Sequence, residues 1–227
     1  KSAVRETVRP EIENHAFAEN PMSIISFFEP IGIIVFALSG ALAARERKMD
    51  LFGILMLATL TATGGGIIRD VVMDNGIPMF FRRPSYMVYI LAACLIALTA
   101  RQLVLKAGRL IIWLDAVGLA CFAIDAGSKV IDKDLGLMAF LFVAVTSGVG
   151  GGVLRDLLSQ QVPTILTKDI YAVAALIGSL VYYLLQDSPL HLAAPYLGLI
   201  IIIVTRLWCH ANDIHLYVPK LQKKPAE

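Results

Sequence analysis

Seven apolar stretches follow one another with only short charged punctuation between them: Ser23 to Ala44, Leu51 to Met73, Tyr86 to Ala100, Leu110 to Ser128, Leu135 to Leu158, Ile170 to Gln186 and Leu192 to Cys209. A spanning helix takes about 20 apolar residues, so stretches of this length and spacing predict a bundle of membrane-crossing helices. Several are apolar on every face and not along one stripe, which suits lipid or bundle burial better than a water-facing helix. The 227-residue chain is 57% hydrophobic and 17% charged, with mean hydropathy +0.72, far from a soluble composition. The same composition excludes intrinsic disorder, collagen and a disulfide scaffold. The expected fold is an all-α polytopic membrane protein with seven transmembrane helices.

Charge adds direction. Lys and Arg exceed Asp and Glu by two, and no basic stripe is interleaved with aromatics, so no nucleic-acid partner is expected. Cys94, Cys121 and Cys209 lie far apart inside apolar runs and read as packing residues. Residues 1–22 are polar and read as an N-terminal extension outside the fold, with Met22 able to serve as a start. Placing the N-terminus outside and the C-terminus in the cytoplasm puts eleven Lys and Arg on the cytoplasmic side against seven outside, the sense the positive-inside rule requires.

Laid on itself, the chain repeats. The run from Glu29 to Asp70 matches Asp115 to Asp156 without a gap at a constant offset, 115 − 29 = 86. Gly32 falls on Gly118, Phe36 on Phe122, and the signature Gly-Gly-Gly-x-x-Arg-Asp occurs in both copies. Pro78 meets Pro163 after one residue of slippage. Each unit holds three helices, and an odd number of crossings forces the second unit to enter from the opposite face. The expected organisation is residues 23–109 as a first three-helix repeat, 110–190 as a second, inverted repeat, 191–210 as a seventh helix and 211–227 as a polar tail. Inverted repeats are a transporter-like architecture with the site near the midplane.

The chemistry-bearing candidates sit at matching places. Gly64, Gly65 and Gly66, with Gly150, Gly151 and Gly152, either break or kink their helices to expose carbonyls to a wet passage, or allow close helix packing. Arg69 with Asp70, and Arg155 with Asp156, lie about one turn beyond, where charge in a bilayer costs about 2.5–3.5 kcal/mol on insertion scales and needs partners or water. Neighbours on a helix do not face one another, so each Arg is expected to pair with another helix, with Glu29 and Asp115 as candidates. Glu29 and Asp115 also suit helix N-termini. Asp125 and Lys129, spaced i, i+4, form either an intrahelical ion pair or a pore-facing, field-sensing set.

No phosphate-cradling glycine loop, nucleophile elbow or zinc motif occurs, so an enzyme, a metal site and a cofactor are not expected. Seven spans, two inverted three-helix repeats each carrying Gly-Gly-Gly-x-x-Arg-Asp, and a seventh helix resemble the bacterial branch of the trimeric intracellular cation channel family, also described as a glycine transporter domain family. The resemblance covers about residues 23–210. It implies a homotrimer in membrane lipid, in the bacterial inner membrane, with one pore per protomer bounded by broken second and fifth helices and conducting potassium and other monovalent cations. By the same resemblance the six glycines are pore-kink residues, the two Arg-Asp pairs their adjoining charges, and Lys129 the nearest counterpart of a basic residue on the fourth helix of animal members. The alternative function is a secondary transporter of a small zwitterion such as glycine.

Overall fold

The computed structural model describes residues 27–100, 107–167, 170–212 and 214. The leader, most of the tail and several of the basic residues counted for orientation lie outside them. Among the described residues all regular structure is helical: α1 (Phe28–Glu46), α2 (Leu51–Val72), the short α3 (Met79–Arg82), α4 (Ser85–Thr99), α5 (Ala107–Ile131), α6 (Gly136–Leu158), the short α7 (Thr164–Thr167), α8 (Ile170–Leu185) and α9 (Ala194–Ala211). Five of these, α1, α2, α5, α6 and α9, are long and apolar enough to cross a bilayer. The 15-residue α4 rises only about 22 Å at 1.5 Å per residue, short of a roughly 30 Å hydrocarbon layer. Large apolar side chains face outward all over the bundle, including Phe52, Val88, Leu95, Met138, Phe142, Val204 and Trp208. Lipid covers such a surface at no cost, whereas water would penalise every face of it. The protein is an integral membrane protein.

Local signals explain where helices begin and end. Asp50 caps α2 by accepting from the Gly53 amide at 2.7 Å. Left-handed backbone follows the helix ends at Lys48, Asp74, Asp134 and Gln160, which pair as 48 with 134 and 74 with 160 at the same offset of 86. At both Asp74 and Gln160 the next amide reaches back to the carbonyl of the motif aspartate, Asn75 to Asp70 and Gln161 to Asp156, each at 2.9 Å.

The centre of the bundle is α1, α2, α5 and α6. α1 packs on α2 and α5, α5 on α6, and α2 on α6. Several ring and glycine contacts across this centre come in reciprocal pairs, in which exchanging both residues for their repeat partners returns the same contact. The Phe36 and Phe122 rings stack with centroids 5.4 Å apart. Each lies against the bare Cα of the glycine on the facing helix, Phe122 against Gly32 and Phe36 against Gly118. α9 has no counterpart in the first half; it packs on α5 and α8, with Gly178 and Gly198 at its crossing with α8.

Candidate functional site

Both glycine triplets lie inside continuous helices, α2 and α6, and all six residues are buried. The break expected at the triplets is therefore absent, and the alternative of close packing describes what they do. A Cβ on Gly65 would run into the carbonyl oxygen of Ser147, and one on Gly151 into that of Thr61. These two contacts are partners under the repeat, and each opposes backbone, which cannot swing aside. The reason is energetic. In a lipid-enclosed bundle an opened helix leaves backbone groups unsatisfied at several kcal/mol each, whereas glycine lets two intact helices touch at the cost of side-chain contacts alone.

At the C-terminal ends of α2 and α6 the two arginines gather ionic clusters. Arg69, 1% exposed, donates from Nη2 to Glu29 Oε1 at 3.0 Å, from Nη1 to Asp125 Oδ2 at 2.6 Å and from Nε to Asp70 Oδ1 at 2.8 Å. Lys129 adds Nζ contacts to Glu29 Oε2 at 3.2 Å and Asp125 Oδ2 at 2.8 Å. In the second cluster Arg155 donates from Nη1 to Asp115 Oδ1 and to Ser39 Oγ, both at 2.8 Å. It also donates from Nη2 and Nε to Asp156 Oδ1, at 2.8 and 2.9 Å. Arg206 of α9 approaches Asp115 Oδ2 at 4.0 Å and lies 4.5 Å over the Tyr171 ring.

The arginines thus bond both across helices, to Glu29 and Asp115, and to their own neighbours. The expectation that Asp70 and Asp156 would not pair with the adjacent Arg is corrected. A long guanidinium stem reaches back over the end of its own helix, where the aspartate is already turned inward. That inward turn has a cause: Asp70 Oδ2 accepts from the Met79 amide at 2.8 Å, and Asp156 Oδ2 from the amide and hydroxyl of Thr164, each at 2.8 Å. Each aspartate therefore secures the short helix after its own, just past Pro78 or Pro163.

Four participants, Ser39, Tyr86, Tyr171 and Arg206, were not among the candidates from sequence. Ser39 and Asp125 are repeat partners, 86 positions apart, and each receives Nη1 of the arginine from the opposite half. Tyr86 and Tyr171, both buried, stand beside Glu29 and Asp115 without closing a hydrogen bond. Arg206 comes from outside the repeat. Glu29 and Ser39 are ten residues apart on α1, as are Asp125 and Asp115 on α5, so the clusters stand about 15 Å apart along these helices. The Phe36–Phe122 stack and the glycine crossing lie between them. A cavity of about 330 Å³ opens on the first cluster, lined by Arg69, Asp70, Asn75, Arg82, Lys129 and Lys133 among others. A second, of about 10 Å³, lies deeper between Glu29, Thr63, Gly66, Tyr86 and Phe122. That is about one water molecule's worth of space. No group of three or more His, Cys, Asp or Glu suited to a metal occurs among the described residues, and Cys94, Cys121 and Cys209 are buried free thiols.

A family model described as Glycine transporter matches the chain twice, over residues 26–102 and 112–187. The UPF0126 inner membrane protein YadS of Escherichia coli K12 is 35% identical over 203 residues, covering 86% of this chain and 95% of that protein. Among solved structures, a TRIC cation channel studied for its conductance is 32% identical, covers 88% of this chain and 100% of its own, and superposes with a TM-score of 0.78. The TRIC trimeric intracellular cation channel orthologue from Rhodobacter sphaeroides is 28% identical, with coverages of 85% and 100% and a TM-score of 0.80. Family and structural neighbours are channels and transporters, not enzymes. With the whole helical core, both glycine-arginine motifs and these relatives in agreement, the chain belongs to the bacterial branch of the trimeric intracellular cation channel family, the family that the glycine transporter model describes.

Proposed function

We propose that the protein is a potassium-permeable monovalent cation channel, a homotrimer in the bacterial inner membrane with one passage in each protomer. The observation that carries this reading is the pair of buried ionic clusters set on either side of a glycine-lined helix crossing, on the fold of proteins that are themselves named cation channels. On this reading the chain has seven spans, with residues 23–109 and 110–190 as inverted units and 191–210 as the last helix. The reciprocal contacts of α1, α2, α5 and α6 are what a two-fold axis in the membrane plane would give. The N-terminus is outside and the C-terminus cytoplasmic.

The route enters at the cavity beside Arg69 and Lys129, follows the α2–α6 crossing past Phe36 and Phe122, and leaves by Arg155 and Asp115. Glu29, Asp125 and Asp115 attract cations to it, while Arg69 and Arg155 hold those acids in place and limit how tightly a cation binds. The packed rings at the centre make this a closed form; opening parts them without breaking a helix. The test is potassium flux into vesicles holding the purified protein, with labelled glycine flux measured beside it. Potassium currents lost in Arg69→Ala and Arg155→Ala are the expected result. Saturable glycine counterflow without potassium current overturns it.

A further inference from the structure

The two repeats share one more property, the shortness of the third helix. α4 holds 15 residues and α8 holds 16, whereas α2, α5 and α6 hold 22, 25 and 23. At about 1.5 Å per residue the short pair rise about 22–24 Å and the long three about 33–38 Å. Charge sets the same limit in both halves. Between Arg83 and Arg101 lie 17 uncharged residues, 84–100, and between Asp169 and Asp187 lie another 17, residues 170–186. Both helices turn large apolar side chains outward along their length: Val88, Leu91 and Leu95 on α4, and Leu176, Ile177 and Leu184 on α8. α4 lies on α1 and α2, and α8 on α6 and α9, so the short helices flank a taller core.

We propose that the α4 and α8 flanks are lipid-binding faces that select short acyl chains and thin the bilayer locally around that core. This rests on the seven-span reading, in which both helices cross the membrane. A hydrocarbon layer about 30 Å deep overhangs either flank by about 6–8 Å. A short helix cannot tilt to fill that depth, because tilting shortens its reach further, and the charged residues at its ends resist being drawn into hydrocarbon. The lipid therefore adapts, at a cost that grows with each ångström of mismatch. Scaled from about 30 Å for chains of about 16–18 carbons, a layer of about 22–24 Å corresponds to chains of about 14 carbons. The equal lengths argue for lipid as the occupant: the two inverted units enter from opposite sides, and hydrocarbon depth is what both meet alike.

The experiment removes the two native tryptophans, by Trp113→Phe and Trp208→Phe, and places a single new one on each surface. Leu91→Trp reports on α4, Ile177→Trp on α8, and Phe142→Trp on the exposed face of the longer α6. Each purified variant is reconstituted in dibrominated phosphatidylcholine mixed with phosphatidylcholines of 14- to 22-carbon monounsaturated chains. Quenching then gives the relative affinity for each chain length at each position. On α4 and α8 the 14-carbon lipid is expected to bind about threefold more tightly than the 22-carbon lipid, and on α6 the preference is weaker or reversed. Equal affinity for all lengths at the two flanks overturns the inference, as does one preference shared by all three positions. A flank tryptophan that brominated lipid fails to quench also overturns it, because a second copy then covers that face. Val88→Trp and Leu184→Trp replace a flank probe that does not assemble. Cysteine labelling that finds both ends of α4 on one side of the membrane is a different failure, that of the seven-span reading.

Discussion

The two ionic clusters answer the same problem with different materials. Both must hold an arginine inside a membrane bundle, and both do so with an aspartate next in sequence and an acid from a neighbouring helix: Glu29 in the first turn of α1, but Asp115 in the interior of α5, which begins eight residues earlier at Ala107 and so does not place it at the expected helix start. Beyond that they part. Around Arg69 the fourth and fifth charges, Asp125 and Lys129, come from one turn of α5, and the Lys129 side chain keeps 26% of its surface exposed. Around Arg155 a neutral serine takes the place of the acid, and the second cation comes from α9 as a guanidinium 4% exposed. The first cluster opens on a cavity that Arg82 and Lys133 also line; the second is sealed. Duplication dictates where such a cluster forms, and the element outside the duplication decides how it is closed.

The comparison is sharpest when each arginine is removed. Arg69→Ala leaves Glu29 and Asp125, two buried carboxylates, to Lys129 alone while Asp70 keeps the Met79 amide and the Asn75 side chain, and breaking a buried pair from one side costs about 3–5 kcal/mol. Arg155→Ala falls at the low end of that range, because Arg206 remains near Asp115 and Asp156 keeps both bonds from Thr164. Thermal unfolding midpoints of the detergent-purified variants check this, and equal losses would break the contrast. Next come Gly65→Ala and Gly151→Ala. Each forces a methyl against a backbone carbonyl, so the two should destabilise alike, by about 1–3 kcal/mol. Unequal melting shifts would mean that the crossing is not reciprocal. Gly136→Ala is the control: its new methyl meets open space, and only the positive φ of 78° is strained, for about 1 kcal/mol. The smallest effect is Thr164→Val, which removes one hydroxyl bond to Asp156 that Met79 never supplies to Asp70. It should lower stability by about 1 kcal/mol, measured the same way, and bring the second half closer to the first.

Much of the helical layout was legible, because apolar run length and charged punctuation act locally: α2 and α6 begin at or within one residue of the expected starts. The Gly-Gly-Gly-x-x-Arg-Asp repeat located the arginines and their acids for the same reason. The missing break in α2 and α6 has a physical source. Glycine weakens an isolated helix in water by about 1 kcal/mol, but inside a bundle the neighbouring backbone supplies contact and no water competes for the helix bonds. Ser39 was within reach, since the offset of 86 leads straight from Asp125 to it. The mismatch between these two positions gives Arg69 a carboxylate partner where Arg155 has a hydroxyl. Arg206 was not legible, because no periodicity links α9 to the repeat; only folding brings it over Tyr171.

The ring-against-glycine seam has one more consequence. Phe36 lies against Gly118 while Phe122 lies against Gly32, so each unit carries one knob and one notch, and each knob seats in the other unit's notch. A half-length chain carrying one unit contains everything this seam needs to bind a second copy of itself about a two-fold axis. Fusing the copies then frees a pair of formerly identical positions to diverge, but it holds knob and notch to one another across the join.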